Sequence, residues 1–190
     1  MRQWKLPFDS TAYGSQVAEI LALDQNGERL IPLVSSTCTS VEVHLRLRNQ
    51  TAAKLFPHAF APQEALAGLW IYFSFSKECH EIVQDLETPE ACFWHAILHR
   101  QEPDPGNASY WFRRVGSHAI FNVLCRAASD ALTSYPKAGL YVGDRWDPFS
   151  FIAFCDQASK QPGSAAEQAA LEIQLREWQL LFDFCARHTS

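Results

Sequence analysis

A pair of histidines four residues apart could hold a metal ion. If residues 89–102 form a helix, His95 and His99 lie on one face, because positions i and i+4 are neighbours. Two imidazoles at this spacing can share a divalent transition metal. Ala96 stands where the H-E-x-x-H motif of zinc proteases has its glutamate, so the pair predicts a metal site without predicting a protease. The candidates for a third ligand are His80, Cys92, Glu102 and His118.

The segment around these histidines is apolar on most of its surface. Cys92, His95, His99 and Glu102 form one polar stripe, roughly 80° wide at 100° per residue. A helix of this kind is usually buried, and buried polar groups need partners. The stripe therefore faces either a ligand or a hydrogen-bond network within the protein.

A second helix, predicted over residues 105–115, adds further polar groups beside the first. Guanidinium groups bind carboxylates and other anions through two parallel hydrogen bonds. The arginines therefore predict either ion pairs within the hairpin or a site for a small anionic ligand. The candidate ligand-binding residues are His80, His95, His99, Arg100, Glu102, Asp104, Asn107, Tyr110, Arg113, Arg114 and His118, with His95 and His99 as the candidate metal ligands.

Two functions follow from these residues, and the sequence leaves both open. In the first, the stripe faces a pocket that binds a divalent transition metal or a small anionic ligand, with or without catalysis. In the second, the protein is a non-catalytic helical module that binds a protein partner, and the stripe is a structural hydrogen-bond network. A pocket requires the stripe to reach solvent, whereas a network pairs every polar atom inside the protein.

Motifs for other kinds of catalysis are absent from the sequence. It contains no G-x-S-x-G, no G-x-x-x-x-G-K-[ST] and no G-x-G-x-x-G. Cys79 and Cys92 have apolar neighbours on predicted helices, where cysteines are usually inert. His118 follows Ser117, the predicted cap of another helix. We expect this histidine to be exposed.

Helix signals dominate the chain and predict an all-α fold. We expect an irregular single-domain bundle of about seven to nine helices, with the hairpin of residues 89–115 at its centre. Ser164 and Glu167 have the spacing of a capping box and predict a long last helix that ends near Ala186. Three further helix starts combine a capping residue with a proline in the first turn: Thr88-Pro89, Asp104-Pro105 and Asp147-Pro148.

The first 60 residues are predicted to form an extension that packs on a core of residues 61–190. Ser10 can cap a helix from about Thr11 to Leu23. Residues 39–49 alternate apolar and polar side chains, as a strand does, yet Thr39 and Glu42 have capping-box spacing. No second strand is predicted to pair with this segment, so we favour a helix there.

Composition limits the classes of protein to which the chain can belong. The chain has 190 residues, of which 47% are hydrophobic and 19% charged, with a formal net charge of -5. This composition indicates one globular domain and does not suit nucleic acid or an anionic membrane surface, both of which attract basic proteins. The six cysteines are widely spaced and no secretory signal is evident, so we expect reduced thiols and a cytoplasmic location.

The predicted hairpin resembles one unit of the tetratricopeptide or Sel1-type repeats. The string GNASYWFRRV is similar to the second helix of such a unit, with Ala108 as the small residue at the helix crossing. The resemblance covers about one unit and implies an antiparallel helix pair. Stacked repeats need about three units for stability, and the sequence shows no such repetition.

A longer stretch, from about Ala65 to Cys185, is similar to a family of uncharacterised proteins from bacteria and fungi. The matching strings are ALAGLWIYFSF, HEIVQ, TPE, FWHAILHRQEPDPGNASYWFRRVG, WDPFSFI and EWQLLFDFC. The resemblance lends no activity. It implies a shared polar pattern that comprises His80, His95, His99, Arg100, Glu102, Asp104, Asn107, Tyr110, Trp111 and Arg114.

Overall fold

A computed structural model describes residues 8–36 and 40–187, and within these ranges the chain forms ten α-helices and no strand. The predicted all-α, single-domain fold is confirmed. Two short 3₁₀ helices lie near the N-terminus, at Ser10–Tyr13 and Gln25–Gly27. The α-helices are α1 (Ser15–Ala22), α2 (Val41–Arg48), α3 (Ala52–Leu55), α4 (Pro62–Tyr72), α5 (Ser76–Val83), α6 (Pro89–Gln101), α7 (Pro105–Val115), α8 (Phe121–Ser134), α9 (Pro148–Ala158) and α10 (Ala165–Ala186).

The helix starts predicted from capping residues are confirmed at Thr88, Asp104, Asp147 and Ser164. Thr88 Oγ1 accepts a hydrogen bond from the Ala91 amide at 3.2 Å, and a carboxylate oxygen of Asp104 accepts from the Asn107 amide at 3.0 Å. Ser164 Oγ accepts from the amide of Glu167 at 3.1 Å. These side chains satisfy amide groups that have no partner within the first turn of a helix.

The N-terminal region differs from the prediction at one helix and agrees at another. The helix predicted from Thr11 is interrupted at Gly14, whose φ of +96° separates the first 3₁₀ helix from α1, and Asp9 provides the cap in place of Ser10. Residues 41–48 form the helix α2, as favoured over a strand. Ser40 caps it, and Thr39 lies outside the described residues.

Helix α6 lies in the middle of the fold, and nearly all of its side chains are buried. It packs most extensively against α7 and also contacts α4, α5 and α9, while α10 packs on α4, α8 and α9. Large rings fill the space between these helices, which supplies most of the apolar area that folding removes from water. The largest of them that are fully buried are Trp94, Trp178, Tyr72, Phe73, Phe93, Phe112, Phe151 and Phe182.

The start of α8 corrects the prediction made for Ser117 and His118. The helix begins at Phe121, its N-cap position is Ile120, and no side chain caps it. His118 is therefore not an exposed residue of a capping turn: it is 7% exposed, and its ring packs against Phe93 and Phe184. Contacts with residues distant in sequence bury it, and no local pattern reveals such contacts.

In the two described ranges, no helix is both long and apolar enough to cross a bilayer. The described cysteines, Cys79, Cys92, Cys125, Cys155 and Cys185, are all buried free thiols.

Candidate functional site

Three histidines converge where α5 packs across α6. One ring nitrogen from each of His80, His95 and His99 can be chosen so that all three atoms lie within 4.8 Å of one another. The rings of His95 and His99 are stacked, with centroids 4.8 Å apart. The ring of His80 meets that of His95 edge-on, also at 4.8 Å. In the described part of the chain, no other group of His, Cys, Asp and Glu side chains has this arrangement.

Helix periodicity explains why His80 reaches the pair on α6. Cys79 and Val83 are fully buried and hold one side of α5 against the protein. His80 is next to Cys79, so it lies 100° around the helix, at the edge of the buried side. It is half-buried, which places its imidazole at the boundary between α6 and solvent. We refer to His80, His95 and His99 as the histidine cluster.

Glu102 orients one of the three rings. The Nδ1 atom of His99 is 2.9 Å from Oε2 of Glu102, three residues further along the chain. A carboxylate at Nδ1 favours the tautomer with hydrogen on that nitrogen, which leaves the Nε2 lone pair for another partner. Histidines that bind metals commonly donate the N–H of their other ring nitrogen to a carboxylate in this way.

His95 is the most enclosed member of the cluster, and one of its nitrogens has no partner. The residue is 3% exposed, and its ring stacks on Trp111 with centroids 3.9 Å apart. Its buried Nδ1 has no hydrogen-bond partner in the described structure. Burial, followed by the positive charge that His99 and His80 can carry, lowers the pKa of His95 to about 3. The imidazole is therefore neutral at physiological pH, which is the form that binds metals.

The spacing of the histidine cluster is compatible with closure on a metal ion. Zinc–nitrogen bonds of 2.0–2.1 Å in a tetrahedron place neighbouring nitrogens roughly 3.4 Å apart. The nitrogens of the cluster lie within 4.8 Å, so each ring needs to move by less than about 1 Å. Small side-chain rotations give such movements, and His80, at the solvent boundary, has the most room to make them.

Arg100 takes no part in this cluster and lies in a different environment. Its terminal nitrogens donate to Glu177 of α10, with Nη1 to Oε1 at 3.3 Å, and Nη2 also donates to Gln174 Oε1 at 3.2 Å. The Arg100 and Glu177 side chains are 1% and 0% exposed. The guanidinium also lies over the ring of Phe151. Arg100 is thus an internal ion pair between α6 and α10, which we call the buried ion pair.

The remaining predicted site residues lie outside the histidine cluster. Asp104 caps α7 by accepting from the amide of Asn107, and Tyr110 is exposed. Arg114 lies over Trp111, and Arg113 lies over Phe149. Of the eleven candidates, the structure brings together the histidine cluster and Glu102. Of the four residues that the sequence left open as a third ligand, the structure brings His80 to the pair on α6, and Glu102 bonds to His99.

His118 belongs to a separate buried pair with Glu90. Its Nδ1 accepts a hydrogen bond from the amide of Ile120 at 3.3 Å, and its Nε2 lies 3.5 Å from Oε1 of Glu90. Burial raises the pKa of Glu90, but the interaction with His118 and a backbone hydrogen bond together outweigh burial, and the net pKa is lowered. The pair ties the loop before α8 to the first turn of α6.

Sequence reasoning missed two contributors. Trp111 is not among the predicted ligand-binding residues, yet its ring covers His95. The W-D-P string at residues 146–148 was interpreted only as a helix start, although Trp146 and Asp147 also line a large cleft. An aromatic residue beside polar groups was the available signal for Trp111, and no signal in the sequence indicated the cleft.

Comparisons of the chain with protein-family models, curated proteins and solved structures found no match. Function is therefore inferred from the geometry of the site.

Proposed function

We propose that this protein binds a divalent transition-metal ion, zinc in the first instance, through the histidine cluster. The observation that carries this proposal is the convergence of three imidazole nitrogens within 4.8 Å, on rings that include the buried and partly unpartnered His95. An unpartnered buried nitrogen costs free energy, and a bound metal would remove that cost.

The chemistry of the ligands selects the metal. Three neutral imidazoles suit zinc, copper, nickel and iron, whereas calcium and magnesium require oxygen ligands. Three protein ligands also leave a fourth position of a tetrahedral zinc ion for water or substrate, as in catalytic zinc sites. The half-buried His80 and the Glu102 carboxylate, 42% exposed, lie on the side from which an ion would enter.

Metal-assisted hydrolysis is the reaction class that such a centre would support. A zinc ion with one open position lowers the pKa of bound water and polarises carbonyl or phosphoryl oxygens. The protein contributes the three neutral imidazoles that would hold the ion. Glu102 keeps His99 in the tautomer that can bind through Nε2.

The alternative is a helical interaction module in which the polar stripe only fixes the hairpin. A structural network pairs its polar atoms internally. The buried ion pair has this character, because its side chains are 1% and 0% exposed and both terminal nitrogens of Arg100 are bonded, although Nε of Arg100 has no partner in the described structure. The histidine cluster differs, since it reaches solvent at the half-buried His80 and at the carboxylate of Glu102. This difference favours the metal site.

The test is a titration of metal-free protein with Zn²⁺ and Co²⁺, followed by calorimetry and by the visible absorption of four-coordinate cobalt. We expect one ion per chain. His80→Ala, His95→Ala and His99→Ala should each weaken binding by more than about 100-fold, beyond the effect of an outer-sphere change. The matched control is His58→Ala, which removes an exposed histidine outside the cluster and should leave binding unchanged.

Two results would contradict the proposal. The first is the absence of stoichiometric binding in protein that remains folded by circular dichroism. The second is equal weakening by His58→Ala and by the cluster variants, which would indicate surface adsorption of the ion.

A further inference from the structure

A cleft lies beside Phe112, the residue that follows Trp111 in α7. Trp111 covers the histidine cluster, whereas Phe112 borders a cleft of about 560 Å³ between α7, the start of α8 and the start of α9. This volume is in the range of small-molecule sites. The aromatic rings that line the cleft are Phe112, Phe121, Trp146 and Phe149, and its polar residues include Ser117, Asn122 and Arg145.

The charges around the cleft favour an anion. Arg145 is exposed and forms no ion pair within the described residues. A second guanidinium, that of Arg113, lies 6.0 Å from the ring centroid of Phe149. The acidic residue of the lining, Asp147, accepts from the Phe149 amide at 2.9 Å and from Ser150 Oγ at 2.6 Å and keeps its negative charge, which the two guanidinium groups together exceed.

The backbone at the cleft adds to this preference. No side chain caps α8, which begins at Phe121 in the cleft wall. The amides of Phe121, Val123 and Leu124 bond to carbonyl oxygens of His118 and Ile120, whereas the amide of Asn122, a lining residue, has no backbone acceptor in the described part of the chain. Such an amide in the first turn of a helix is a donor with a partial positive charge, and it favours an anion. Arg145 and this helix start border the same space, so one bound carboxylate can interact with both.

Trp146 supplies an apolar surface. The residue is 7% exposed and borders the cleft. Its indole N–H is itself buried and has no acceptor in the described part of the chain, so a ligand in the cleft contacts the ring and not this donor. The ring itself, with Phe121 and Phe149, offers flat apolar contact to a planar molecule.

We propose that this cleft binds a small organic anion in which a flat apolar body carries a carboxylate. The carboxylate lies against the Arg145 guanidinium at the start of α8. The body lies among the rings of Phe121, Trp146 and Phe149. This site is distinct from the histidine cluster and does not require a metal.

The experiment uses 2-naphthoate as the probe and 2-naphthamide as its neutral counterpart, added to ¹⁵N-labelled, metal-free full-length chain. The observable is the Trp146 indole N–H resonance, assigned by its loss in Trp146→Phe. We expect 2-naphthoate to shift this resonance with a Kd below about 1 mM. The amide, which lacks the charge, should bind at least about tenfold more weakly.

Arg145→Gln should abolish the preference for the acid over the amide, because it removes the charge and keeps a polar, hydrogen-bonding side chain. The matched control is Arg126→Gln, which removes an exposed arginine of α8 that does not line the cleft. It should retain the preference. Both residues are exposed, so both variants are expected to fold, and the same spectra report it.

Three results would overturn the proposal. They are no shift of the Trp146 indole at millimolar 2-naphthoate, equal binding of acid and amide, and an unchanged preference in Arg145→Gln. Equal binding would identify the cleft as an apolar groove without selectivity for charge.

Discussion

The two neighbours His99 and Arg100 lie in opposite environments on the same turn of α6. The His99 side chain is 11% exposed and bonds an accessible glutamate, whereas Arg100 is sealed against Glu177. Adjacent residues of a helix are separated by 100°, so one faces the edge of the protein and the other faces α10. Polar residues adjacent in sequence therefore need not form one site, and their partners decide the role of each.

The buried ion pair also fastens the N-terminal region to the centre of the fold. Gln174, which accepts from Arg100, donates through Nε2 to the carbonyl oxygen of Ile31 at 2.8 Å. Gln101 donates to the carbonyl oxygen of Pro32 at 3.0 Å. Every one of these contacts is internal, so this region stabilises the fold and offers no atom to a ligand.

The largest expected effect comes from breaking the buried ion pair. Glu177→Ala leaves the Arg100 charge buried without its carboxylate, and the free energy of unfolding should fall by about 3–5 kcal/mol. Chemical denaturation measures this change. Glu42→Ala, which breaks the exposed pair with Arg46, is the control and should cost less than about 1 kcal/mol.

A double variant sharpens this result. Arg100→Met combined with Glu177→Leu removes both charges and should recover much of the stability that Glu177→Ala loses. Equal costs for Glu177→Ala and Glu42→Ala would refute the structural role assigned to the pair.

The next effect concerns the outer sphere of the histidine cluster. Glu102→Gln weakens the support of His99 Nδ1, and zinc affinity should fall about 10–100-fold while stability without metal changes little. Calorimetric titration measures the affinity. Glu87→Gln alters a carboxylate that is 90% exposed and should leave the affinity unchanged. If Glu87→Gln lowered zinc affinity more than Glu102→Gln, Glu102 would have no role in the site.

Acid should destabilise the metal-free protein through His95. The folded protein keeps this imidazole neutral down to a pKa of about 3, against an ordinary value of 6.5. Between these values the unfolded chain binds one proton more, so the stability from this group is complete above pH 6.5 and declines as pH falls. The free energy of unfolding should fall by up to about 1.4 kcal/mol for each pH unit below 6.5.

Denaturation at pH 7, 6 and 5 tests this expectation, with His95→Gln as the comparison that removes the group. The variant should show a shallower decline than the parent protein. Identical pH dependence in the two proteins would show that His95 titrates in the folded state near its ordinary pKa.

The smallest expected effect is on stability when His99 is removed in the absence of metal. His99→Ala deletes one hydrogen bond at the edge of the protein and should cost about 1 kcal/mol or less. Thermal or urea unfolding measures it against Glu177→Ala. A loss of stability near that of Glu177→Ala would indicate that the histidine cluster is a second structural network. This result would favour the alternative of an interaction module.

Local signals explain which parts of the fold were predictable. Thr88-Pro89 and Asp104-Pro105 combine a capping side chain with a fixed φ, so the sequence alone located the starts of α6 and α7. The start of α8 has no side-chain cap, and its prediction from Ser117 was wrong for that reason. The break at Gly14 depends on one residue with positive φ, which a periodic pattern does not reveal.

The candidate site was predictable only in part, for the same physical reason. The spacing of His95 and His99 lies within one helix, whereas His80 reaches them through the packing of α5 on α6. Likewise, nothing near Arg100 in sequence identifies Glu177 as its partner, 77 residues away. Contacts within a helix follow from its periodicity, but contacts between helices depend on the whole fold.

Helix α7 cannot tolerate a change of register. Trp111 and Phe112 are consecutive, yet one covers the ring of His95 and the other borders the cleft. Deleting one residue between Asn107 and Trp111 would turn both side chains by 100° and move them by 1.5 Å along the axis. The histidine cluster would then lose the Trp111 ring and the cleft would lose the Phe112 ring. Insertions and deletions should therefore be far rarer in this helix than substitutions.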